Sequence, residues 1–329
     1  MPTSEAKYVD PYGRAIDYVR LSVADRCDLR CFYCIPKGYK DFEVPEDWLS
    51  FDEIERLMEA FVALGIKKLR FTGGEPLLRP DLDVLAKRLT TISGIEDMSL
   101  STNAVKLAKN AQQLFDGGIQ RLNISLDSLD PQTFKEITSG KLDKVIDGIL
   151  TAKEVGFTPI KINMVVMKGI NDHQIQDMLD FCQEHGFTLR LIETMPMGNT
   201  GREGSKHYIS LQEIRDELQI RNNLTPAIAQ GAGPARYYQT NTGSQIGFIT
   251  PISQHFCDTC NRVRLGVDGT LYLCLGQEHQ YPLKPILRDG ASCEELQEHL
   301  IKALALKPLK HEFNEKPDQV IRIMSVTGG

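Results

Sequence analysis

The sequence of 329 residues predicts an α/β fold, a partial (β/α)6 TIM-like barrel that a C-terminal α+β region closes. Six short apolar runs alternate with amphipathic helical patterns as far as about residue 200, and strands that alternate with helices pair in parallel through right-handed crossovers. Segments rich in cysteine, glycine or hydroxyl groups follow most of these runs, and the active sites of β/α barrels lie where the strands end. Six units are too many for a small doubly wound sheet and too few for a full eight-unit barrel.

The apolar runs define the predicted strands, which are Tyr18–Ser22, Lys68–Thr72, Met98–Ser101, Arg121–Ser125, Lys161–Val166 and Leu189–Glu193. Apolar residues with one-face helical spacing define the predicted helices, which are Phe51–Leu64, Leu142–Val155, His173–Glu184, His207–Leu218 and Cys293–Ala305. Ser50 is the expected N-cap of the first helix. The pattern becomes irregular after residue 204, with a loop at Gly231–Ala235. We therefore divide the chain into a barrel domain, residues 1–204, and a C-terminal region, residues 205–329.

Three cysteines stand close together near the start of the chain, in the segment Cys27-Asp-Leu-Arg-Cys31-Phe-Tyr-Cys34. Cysteine thiolates hold iron–sulfur clusters, and three of them leave one iron of a four-iron cluster with an open coordination position. An open position on a metal is where a substrate or cofactor binds. A zinc site and a chance grouping are the alternatives. Zinc sites usually add further ligands along the chain, and no fourth Cys or His lies near this triplet.

A second cysteine set, formed by Cys257, Cys260 and Cys274, occurs late in the chain. The Asp268-Gly269 pair, flanked by alternating apolar residues, predicts a hairpin with a two-residue turn. Such a turn places Val263 opposite Cys274 and carries Cys274 back toward Cys260. Three thiolates would again meet at one point, which favours a second iron–sulfur cluster.

A zinc site with three cysteines and His255 is the alternative for this second set, because pairs of cysteines separated by two residues are common zinc ligands. The first cysteine triplet favours the iron–sulfur interpretation. The two remaining cysteines, Cys182 and Cys293, lie in helical patterns, and we interpret both as core or incidental residues.

Two further motifs point to ligands. Gly73-Gly74-Glu75-Pro76 ends a predicted strand, and its glycines allow a ligand to approach the backbone closely, although an ordinary tight turn is the alternative. Arg262 and Arg264 lie two residues apart, so on a strand they point to the same face and form a clamp for phosphate. The alternative for this pair is an edge strand protected by charge.

Composition limits the classes of partner. The chain is 41% hydrophobic and 25% charged with a formal net charge of -6, whereas a nucleic-acid-binding protein usually has a basic surface, so we predict no nucleic-acid partner. The first residues contain no apolar core of a secretory signal, and no apolar run approaches the length that spans a bilayer. We expect a cytoplasmic protein with no membrane partner, in which clustered cysteines are metal ligands and not disulfides.

The motifs together resemble a known family. The first triplet, with Tyr33 before its third cysteine, and the Gly-Gly-Glu-Pro segment resemble the radical S-adenosylmethionine superfamily. With Tyr18-Val-Arg-Leu-Ser22, Cys260-Asn-Arg-Val-Arg264 and the Gly328-Gly329 end, the chain resembles the GTP 3′,8-cyclase family over nearly its whole length. That family begins molybdenum cofactor (molybdopterin) biosynthesis.

The resemblance implies two [4Fe–4S] clusters and S-adenosylmethionine as cofactors. Cleavage of S-adenosylmethionine would release a 5′-deoxyadenosyl radical that abstracts the ribose 3′ hydrogen of GTP, and the ribose carbon would then add to C8 of guanine. The protein would supply orientation and shielding from water. The C-terminal region would carry the second cluster, whose open iron would meet the guanine.

The resemblance also implies roles for individual residues. The metal ligands would be Cys27, Cys31, Cys34, Cys257, Cys260 and Cys274. The residues that contact S-adenosylmethionine would be Tyr33, Gly74, Ser125 and Met195. The residues that contact GTP would be Arg20, Arg70, Ser101, Lys161, Arg262 and Arg264. Ser101 stands where the family often has Thr, a mild departure because both side chains carry a hydroxyl. The terminal Gly328 and Gly329 would reach into the active site.

The partners implied in addition to GTP are an electron donor, cyclic pyranopterin monophosphate synthase as the next enzyme of molybdopterin synthesis, and a second copy in a homodimer. Two other functions stay open on the sequence alone. One is a different twin-cluster radical enzyme, such as one that modifies a peptide, and the other is a non-enzymatic protein with zinc in both cysteine sets.

Overall fold

The computed structural model describes residues 8–228 and 233–328 of the chain. The strands are β1 Tyr18–Ala24, β2 Lys68–Gly73, β3 Asp97–Thr102, β4 Arg121–Ser125, β5 Ile160–Val166, β6 Thr188–Glu193, β7 Thr225–Ala227, β8 Arg236–Gln239, β9 Gln245–Ile249, β10 Arg262–Leu265, β11 Thr270–Tyr272 and β12 Gln280–Pro282. The helices are α1 Phe51–Ala63, α2 Leu82–Leu89, α3 Leu107–Asp116, α4 Pro131–Thr138, α5 Leu142–Val155, α6 Ile175–His185, α7 Gly198–Ser205, α8 Leu211–Asn222, α9 Lys284–Arg288, α10 Cys293–Leu304 and α11 Met324–Thr327.

One mixed sheet contains all of these strands, in the order β12-β11-β10-β1-β2-β3-β4-β5-β6-β9-β8-β7. The strands from β10 through β1 and β6 to β9 are parallel, and an antiparallel hairpin continues the sheet at each end. The α/β class and the six predicted β/α units are confirmed.

The predicted closure of the barrel is wrong, because the sheet is open. Among the described residues, β12 and β7 are its two edges and no ladder joins them. The strands that follow residue 205 add to both ends of the six-stranded parallel sheet instead of bridging them, since β10 pairs with β1 and β9 pairs with β6.

The two faces of the sheet differ in character. In β1 the alternate residues Val19, Leu21 and Val23 belong to the main hydrophobic core beneath the helices. The intervening Arg20 and Ser22 point to the opposite face, because successive strand side chains alternate. The side chains on both faces of β1 are buried, so the face that carries Arg20 and Ser22, here called the inner face, is enclosed and polar.

Helix boundaries follow local capping chemistry. Ser50 caps α1 in a capping box with Glu53, as the sequence predicts, and α10 begins with the equivalent arrangement of Ser292 and Glu295. The helix predicted to start at His207 begins four residues later, because the Ser210 side chain accepts a hydrogen bond from the Gln212 N–H and fixes the start there.

The hairpin between the second-set cysteines is present, but its predicted register is wrong by one residue. Arg264 pairs with Tyr272 and Leu265 with Leu271. The Gly266 N–H donates to the Thr270 carbonyl, so the connection has three residues, and Gly269 has a φ of 78°. A three-residue connection that ends in a left-handed glycine is a common alternative to the two-residue turn.

Glu193 fixes the C-terminal region at the carboxyl end of β6. One oxygen of this buried carboxylate accepts the N–H groups of Ile252 at 2.9 Å and Ser253 at 3.0 Å. The other accepts the Ser253 hydroxyl at 2.5 Å and the Leu211 N–H at 3.3 Å. The segment that leads to the second cysteine set is therefore anchored at the same rim as the first set.

The longest helix, α5, has 14 residues, and within the described ranges no helix has both the length and the apolar character needed to cross a membrane.

Candidate active site

The first cysteine triplet opens into a cavity of about 180 Å³ at the carboxyl ends of the strands. Cys27, Cys31 and Cys34 lie in the long connection after β1, where the Cys34 N–H donates to the Cys31 carbonyl at 2.9 Å. The other predicted cofactor-contacting residues line the same cavity, and these are Tyr33, Gly74, Ser125 and Met195. The fold thus gathers the first triplet and this predicted set at one place.

The chemistry of this triplet fits a cluster. All eight cysteines of the chain are free thiols. Burial, followed by the nearby Glu75 carboxylate, raises the pKa of Cys27 to about 12, and burial and Asp127 do the same for Cys34. Burial, followed by Asp127, raises the pKa of Cys31 well above its ordinary value. Buried protonated thiols become ligands when a metal displaces their protons, so the site favours a metal over free thiolates.

Gly73 and Gly74 have a structural requirement that the sequence interpretation missed. A Cβ on Gly73 would overlap the Ala24 carbonyl oxygen, and one on Gly74 would overlap the Arg26 carbonyl oxygen. The Gly74 N–H donates to Ala24 and the Glu75 N–H to Arg26, both at 2.7 Å. The glycines let the end of β2 lie against the segment that begins the cysteine connection, besides leaving the backbone accessible from the cavity.

Two buried carboxyl groups hold the strand ends together. Glu75 accepts the Thr102 hydroxyl and the Asn103 N–H, both at 2.7 Å, and burial raises its pKa to about 7. Asp127 accepts the Tyr33 hydroxyl at 2.6 Å and the Val165 N–H at 2.9 Å. Burial raises the pKa of Asp127 to about 6 despite both hydrogen bonds. These two residues keep the cavity wall in place and surround the first triplet with acidic groups.

The second cysteine triplet lines an adjoining cavity of about 150 Å³. Cys257, Cys260 and Cys274 all line it, so the hairpin brings Cys274 to the other two in spite of the register error. Four residues line both cavities, and these are Ser101, Asn163, Ile192 and Met195. The two cavities therefore adjoin across these four residues, with one cysteine set in each, and we call the two together the shared interior.

The shared interior is strongly cationic. Arg20, Arg70, Arg262 and Arg264 all line the second cavity. Arg20 lies opposite Arg70 on β2 and opposite Arg264 on β10, so the three arginines occupy neighbouring positions on three adjacent strands. Burial, together with the neighbouring arginines, lowers the pKa of Arg70 to about 9. The buried Nε atoms of Arg20 and Arg262 have no hydrogen-bond partner among the described residues. Unpaired buried donors beside a cavity are what an anionic ligand would satisfy.

Lys161 and an arginine absent from the predictions extend this cationic wall. Lys161 lines a smaller neighbouring hollow and donates to the Tyr237 hydroxyl at 3.2 Å. Arg190 lines both that hollow and the second cavity, and it donates to Asn163 at 2.8 Å and to Asn123 at 2.6 Å. Its sequence signal is the one that Arg20 gives, a charged residue flanked by apolar residues inside a strand.

The zinc alternative for the second set finds a different group of ligands. Among the described residues, one group of three His, Cys, Asp or Glu side chains has all of its ligand atoms within 4.8 Å of one another. It consists of His255, Cys257 and His311. Burial, with His255 nearby, lowers the pKa of His311 to about 4. Cys260 and Cys274 do not belong to this group, so the predicted Cys3His geometry is not formed.

The C-terminal tail enters the same interior. Thr327 is fully buried, and the carbonyl groups of Thr327 and Gly328 accept hydrogen bonds from Arg264. Gly328 has a φ of 68°, and a Cβ there would overlap the Thr72 side chain. Only glycine fits this conformation and this contact. The last residue, Gly329, lies outside the described residues.

Family models match two consecutive parts of the chain. Residues 21–182 match the Radical SAM superfamily, and residues 187–313 match Molybdenum Cofactor Synthesis C. Curated relatives match nearly the full length. The GTP 3′,8-cyclase of Pseudomonas fluorescens (strain Pf0-1) is 44% identical, over 99% of this chain and 100% of the relative. The GTP 3′,8-cyclase of Nitrobacter hamburgensis is also 44% identical, over 98% of this chain and 96% of the relative.

Solved structures resemble the chain at the level of the fold. SuiB of Streptococcus suis bound to S-adenosylmethionine superposes with a TM-score of 0.58 at 18% identity, over 79% of this chain and 60% of that chain. SuiB bound to its precursor peptide SuiA gives a TM-score of 0.60 at 17% identity, over 89% of this chain and 65% of that chain. The chain thus spans less than two thirds of these structures, and the likeness establishes the architecture alone.

The raised pKa of Asp127 predicts a pH-dependent gain in stability for Asp127→Asn. The pKa of Asp127 is about 6 in the folded protein and 3.8 ordinarily, so the folded protein binds the Asp127 proton more tightly than the unfolded chain does. The parent therefore loses stability as the pH rises from the lower to the higher pKa value. Relative to the parent, the variant should gain up to about 3 kcal/mol between pH 4 and pH 7. Urea unfolding of both cluster-free proteins at the two pH values measures this. A difference that does not change with pH would show that Asp127 ionises as readily in the folded protein as in the unfolded chain.

Proposed function

The chain belongs to the GTP 3′,8-cyclase family of radical S-adenosylmethionine enzymes in molybdenum cofactor biosynthesis, and we propose that it converts GTP to 3′,8-cyclo-7,8-dihydro-GTP. The observation that carries the proposal is the shared interior, where one cavity is lined by the first cysteine triplet and the adjoining cavity is lined by the second triplet and a wall of buried arginines. The fold likeness to a peptide-bound enzyme adds no support for a peptide substrate, because it rests on 17% identity.

The cofactors of the family are S-adenosylmethionine and [4Fe–4S] clusters. Cys27, Cys31 and Cys34 would hold the first cluster, and Cys257, Cys260 and Cys274 the second. When bound, the first cluster and S-adenosylmethionine together supply the one-electron chemistry that makes a hydrogen-abstracting radical. Tyr33, Gly74, Ser125 and Met195 line the space beside the first triplet, and we assign S-adenosylmethionine to them.

We assign the GTP triphosphate to the cationic wall. Arg20, Arg70, Arg262 and Arg264 present guanidinium groups to the second cavity, and Ser101 offers a hydroxyl on the wall between the two cavities. Lys161 lies beside the same wall. Guanidinium groups bind phosphate oxygens in pairs, and low-dielectric surroundings strengthen each contact. A triphosphate held here would leave the nucleoside to extend toward the wall that both cavities share.

This arrangement orients the nucleoside and excludes water. A radical reaction needs one C–H bond close to the abstracting group and no competing solvent. Sheet and helices enclose the interior on the barrel side, and the tail covers the ends of β1 and β2. We propose that Gly328 and Gly329 act in turnover at this position.

The proposal includes the remaining family features. An external electron donor is required because cleavage of S-adenosylmethionine consumes one electron and reduction of the cyclised nucleotide radical, with uptake of a proton, consumes a second. We further propose a cytoplasmic location, transfer of the product to cyclic pyranopterin monophosphate synthase, and a homodimer. Light scattering on the cluster-loaded protein distinguishes a homodimer from a monomer.

Loading and turnover test the central proposal. Anaerobically reconstituted protein should hold about eight irons, four at each triplet. With GTP, S-adenosylmethionine and a reductant it should form the cyclised nucleotide, detected by mass spectrometry. Cys27→Ala should lose about half of the iron and all cleavage of S-adenosylmethionine. Cys293→Ala, outside both triplets, is the matched control and should keep both. Stoichiometric zinc without iron uptake would contradict the proposal.

Loss of one guanidinium should weaken GTP binding. Removing a charge-assisted hydrogen bond costs about 1.5–3 kcal/mol, so Arg262→Ala and Arg264→Ala should each raise the Kd for GTP roughly tenfold or more. Equilibrium binding to the cluster-loaded proteins measures this. Arg221→Ala, on the exposed end of α8, should bind GTP as the parent does. Parental affinity in Arg262→Ala would remove that residue from the phosphate site.

Deletion of Gly328 and Gly329 should separate turnover from folding. Neither residue has a side chain to pack, so iron content, melting temperature and GTP affinity should stay close to those of the parent, while cyclised product falls sharply. Gly328→Ala should have a similar effect, because the new Cβ would overlap Thr72. Product yield at matched iron content is the measurement. Full activity of the deletion would mean that the tail is only a chain end.

A further inference from the structure

Three buried cations hold the backbone around the second cysteine triplet. Arg14 donates to the Cys257 carbonyl at 2.8 Å, and Arg322 donates to the Cys274 carbonyl at 2.9 Å. Lys307, which is 3% exposed, donates to two carbonyls that flank the site, those of Arg262 at 3.0 Å and Leu273 at 2.5 Å. Every segment that supplies a cysteine is thus bound by a positively charged side chain.

Lys307 differs from the other two in having no carboxylate partner. Arg14 pairs with Asp10 at 2.5 Å, and Arg322 pairs with Glu278 at 2.6 Å, so these two charges are balanced. Within residues 8–228 and 233–328, Lys307 forms no ion pair with an acidic side chain. Burial of an ammonium group without an opposite charge is costly, so a counter-charge is expected close by.

Lys307 lies beside the cysteines, because the two carbonyls that it binds belong to Arg262, two residues after Cys260, and to Leu273, the neighbour of Cys274. Its positive charge acts on both Cys260 and Cys274 and stabilises their ionised forms. An ammonium group has three N–H donors, and the two carbonyls use two of them. In a loaded site the three cysteines are thiolates, and they would supply the negative charge that the polypeptide does not.

We propose that Lys307 is the buried counter-ion of the second cluster and a positioning residue that raises its reduction potential. The inference rests on the proposed function, which places that cluster on Cys257, Cys260 and Cys274. A cation beside a cluster stabilises the reduced form, which is more negative than the oxidised form by one electron. Net charge near the cluster is one of the factors that set such potentials.

The side chains that act on the thiols of the first triplet are mainly acidic, while Arg30 donates to the Cys27 carbonyl. Glu75 and Asp28 act on Cys27, and Asp127 acts on Cys31 and Cys34. Negative groups disfavour an added electron for the same Coulombic reason. The two clusters should therefore differ in potential, with the second one the easier to reduce, and Lys307 contributes to that difference.

The test measures the second cluster by itself in the full-length chain. Cys27, Cys31 and Cys34 are all replaced by Ala, so that anaerobic reconstitution loads only the second site. Lys307→Gln removes the charge but keeps a side-chain N–H donor for the carbonyls, whereas Lys307→Arg keeps the charge. Lys302→Gln, on an α10 side chain that is 61% exposed, is the control. EPR-monitored redox titration gives the midpoint potential of each protein.

The potential of Lys307→Gln should shift to more negative values, while Lys307→Arg and Lys302→Gln stay near the parent. The rise in Tm on cluster loading should also be smaller in Lys307→Gln. If Lys307 only held the two carbonyls in place, Lys307→Gln would lower the Tm of the cluster-free and the loaded protein equally and would leave the midpoint potential unchanged. A parental potential with full iron in Lys307→Gln therefore overturns the inference.

Two other outcomes are also decisive. In the first, Lys307→Gln takes up no iron at the second triplet. The counter-ion role is then supported if its cluster-free form has the Tm of the parent and if Lys307→Arg loads normally. A lowered cluster-free Tm in that case overturns it. If the protein with native Lys307 forms no four-iron cluster at the second triplet, the proposed second cluster is wrong and the inference fails with it. If only Lys307→Gln fails to form the cluster, the proposed function is unaffected.

Discussion

The parallel pairing of β1 with β10 is the constraint on which the rest of the structure depends. The first triplet follows the carboxyl end of β1, whereas the second triplet meets at the amino end of β10, so one ladder of backbone hydrogen bonds places the two sets at opposite ends of the same pair of strands. The same register sets Arg20 beside Arg264 and, across β2, beside Arg70. Without this pairing the thiols and guanidinium groups would belong to separate surfaces.

The interior concentrates positive charge in a chain whose net charge is -6. Five arginines line one cavity, and burial, together with the neighbouring positive charges, lowers the pKa of Arg70 to about 9. The surrounding apolar layers stabilise the fold enough to keep these groups in place. An anion that enters would relieve their mutual repulsion, so the cavity is prepared for a polyanionic ligand before any ligand arrives.

Local sequence signals predicted strands β1 to β6 and helices α1, α5 and α6, because each of these strands is a short apolar run and each of these helices has an apolar face. The bounds of α2, α3, α4 and α7 were not predicted. The ends of β4 and the start of α1 at Ser50 follow such signals. Closure of the barrel by the C-terminal region was predicted wrongly, because no local sequence pattern indicates which strands are neighbours in the sheet. β10 and β9 are short, and only tertiary pairing sends them to opposite ends of the sheet.

For the site, all six predicted cysteine ligands lie beside the two adjoining cavities, because the cysteine spacing and the Asp268-Gly269 turn are local features. Arg190 and Lys307 were missed. Arg190 carried a signal, a charge inside an apolar strand. Lys307 carried none, because its role depends on carbonyl groups of residues distant in sequence, which a single sequence does not bring together.

The order of synthesis gives the β1–β10 pairing a further consequence. Residues 18–24 leave the ribosome long before residues 262–265, and at ordinary elongation rates the delay is on the order of tens of seconds. Throughout that interval one edge of β1 has no partner and its N–H and C=O groups are open to association with other nascent chains. Completion of the C-terminal third therefore ends a period of vulnerability to aggregation, in addition to assembling the interior.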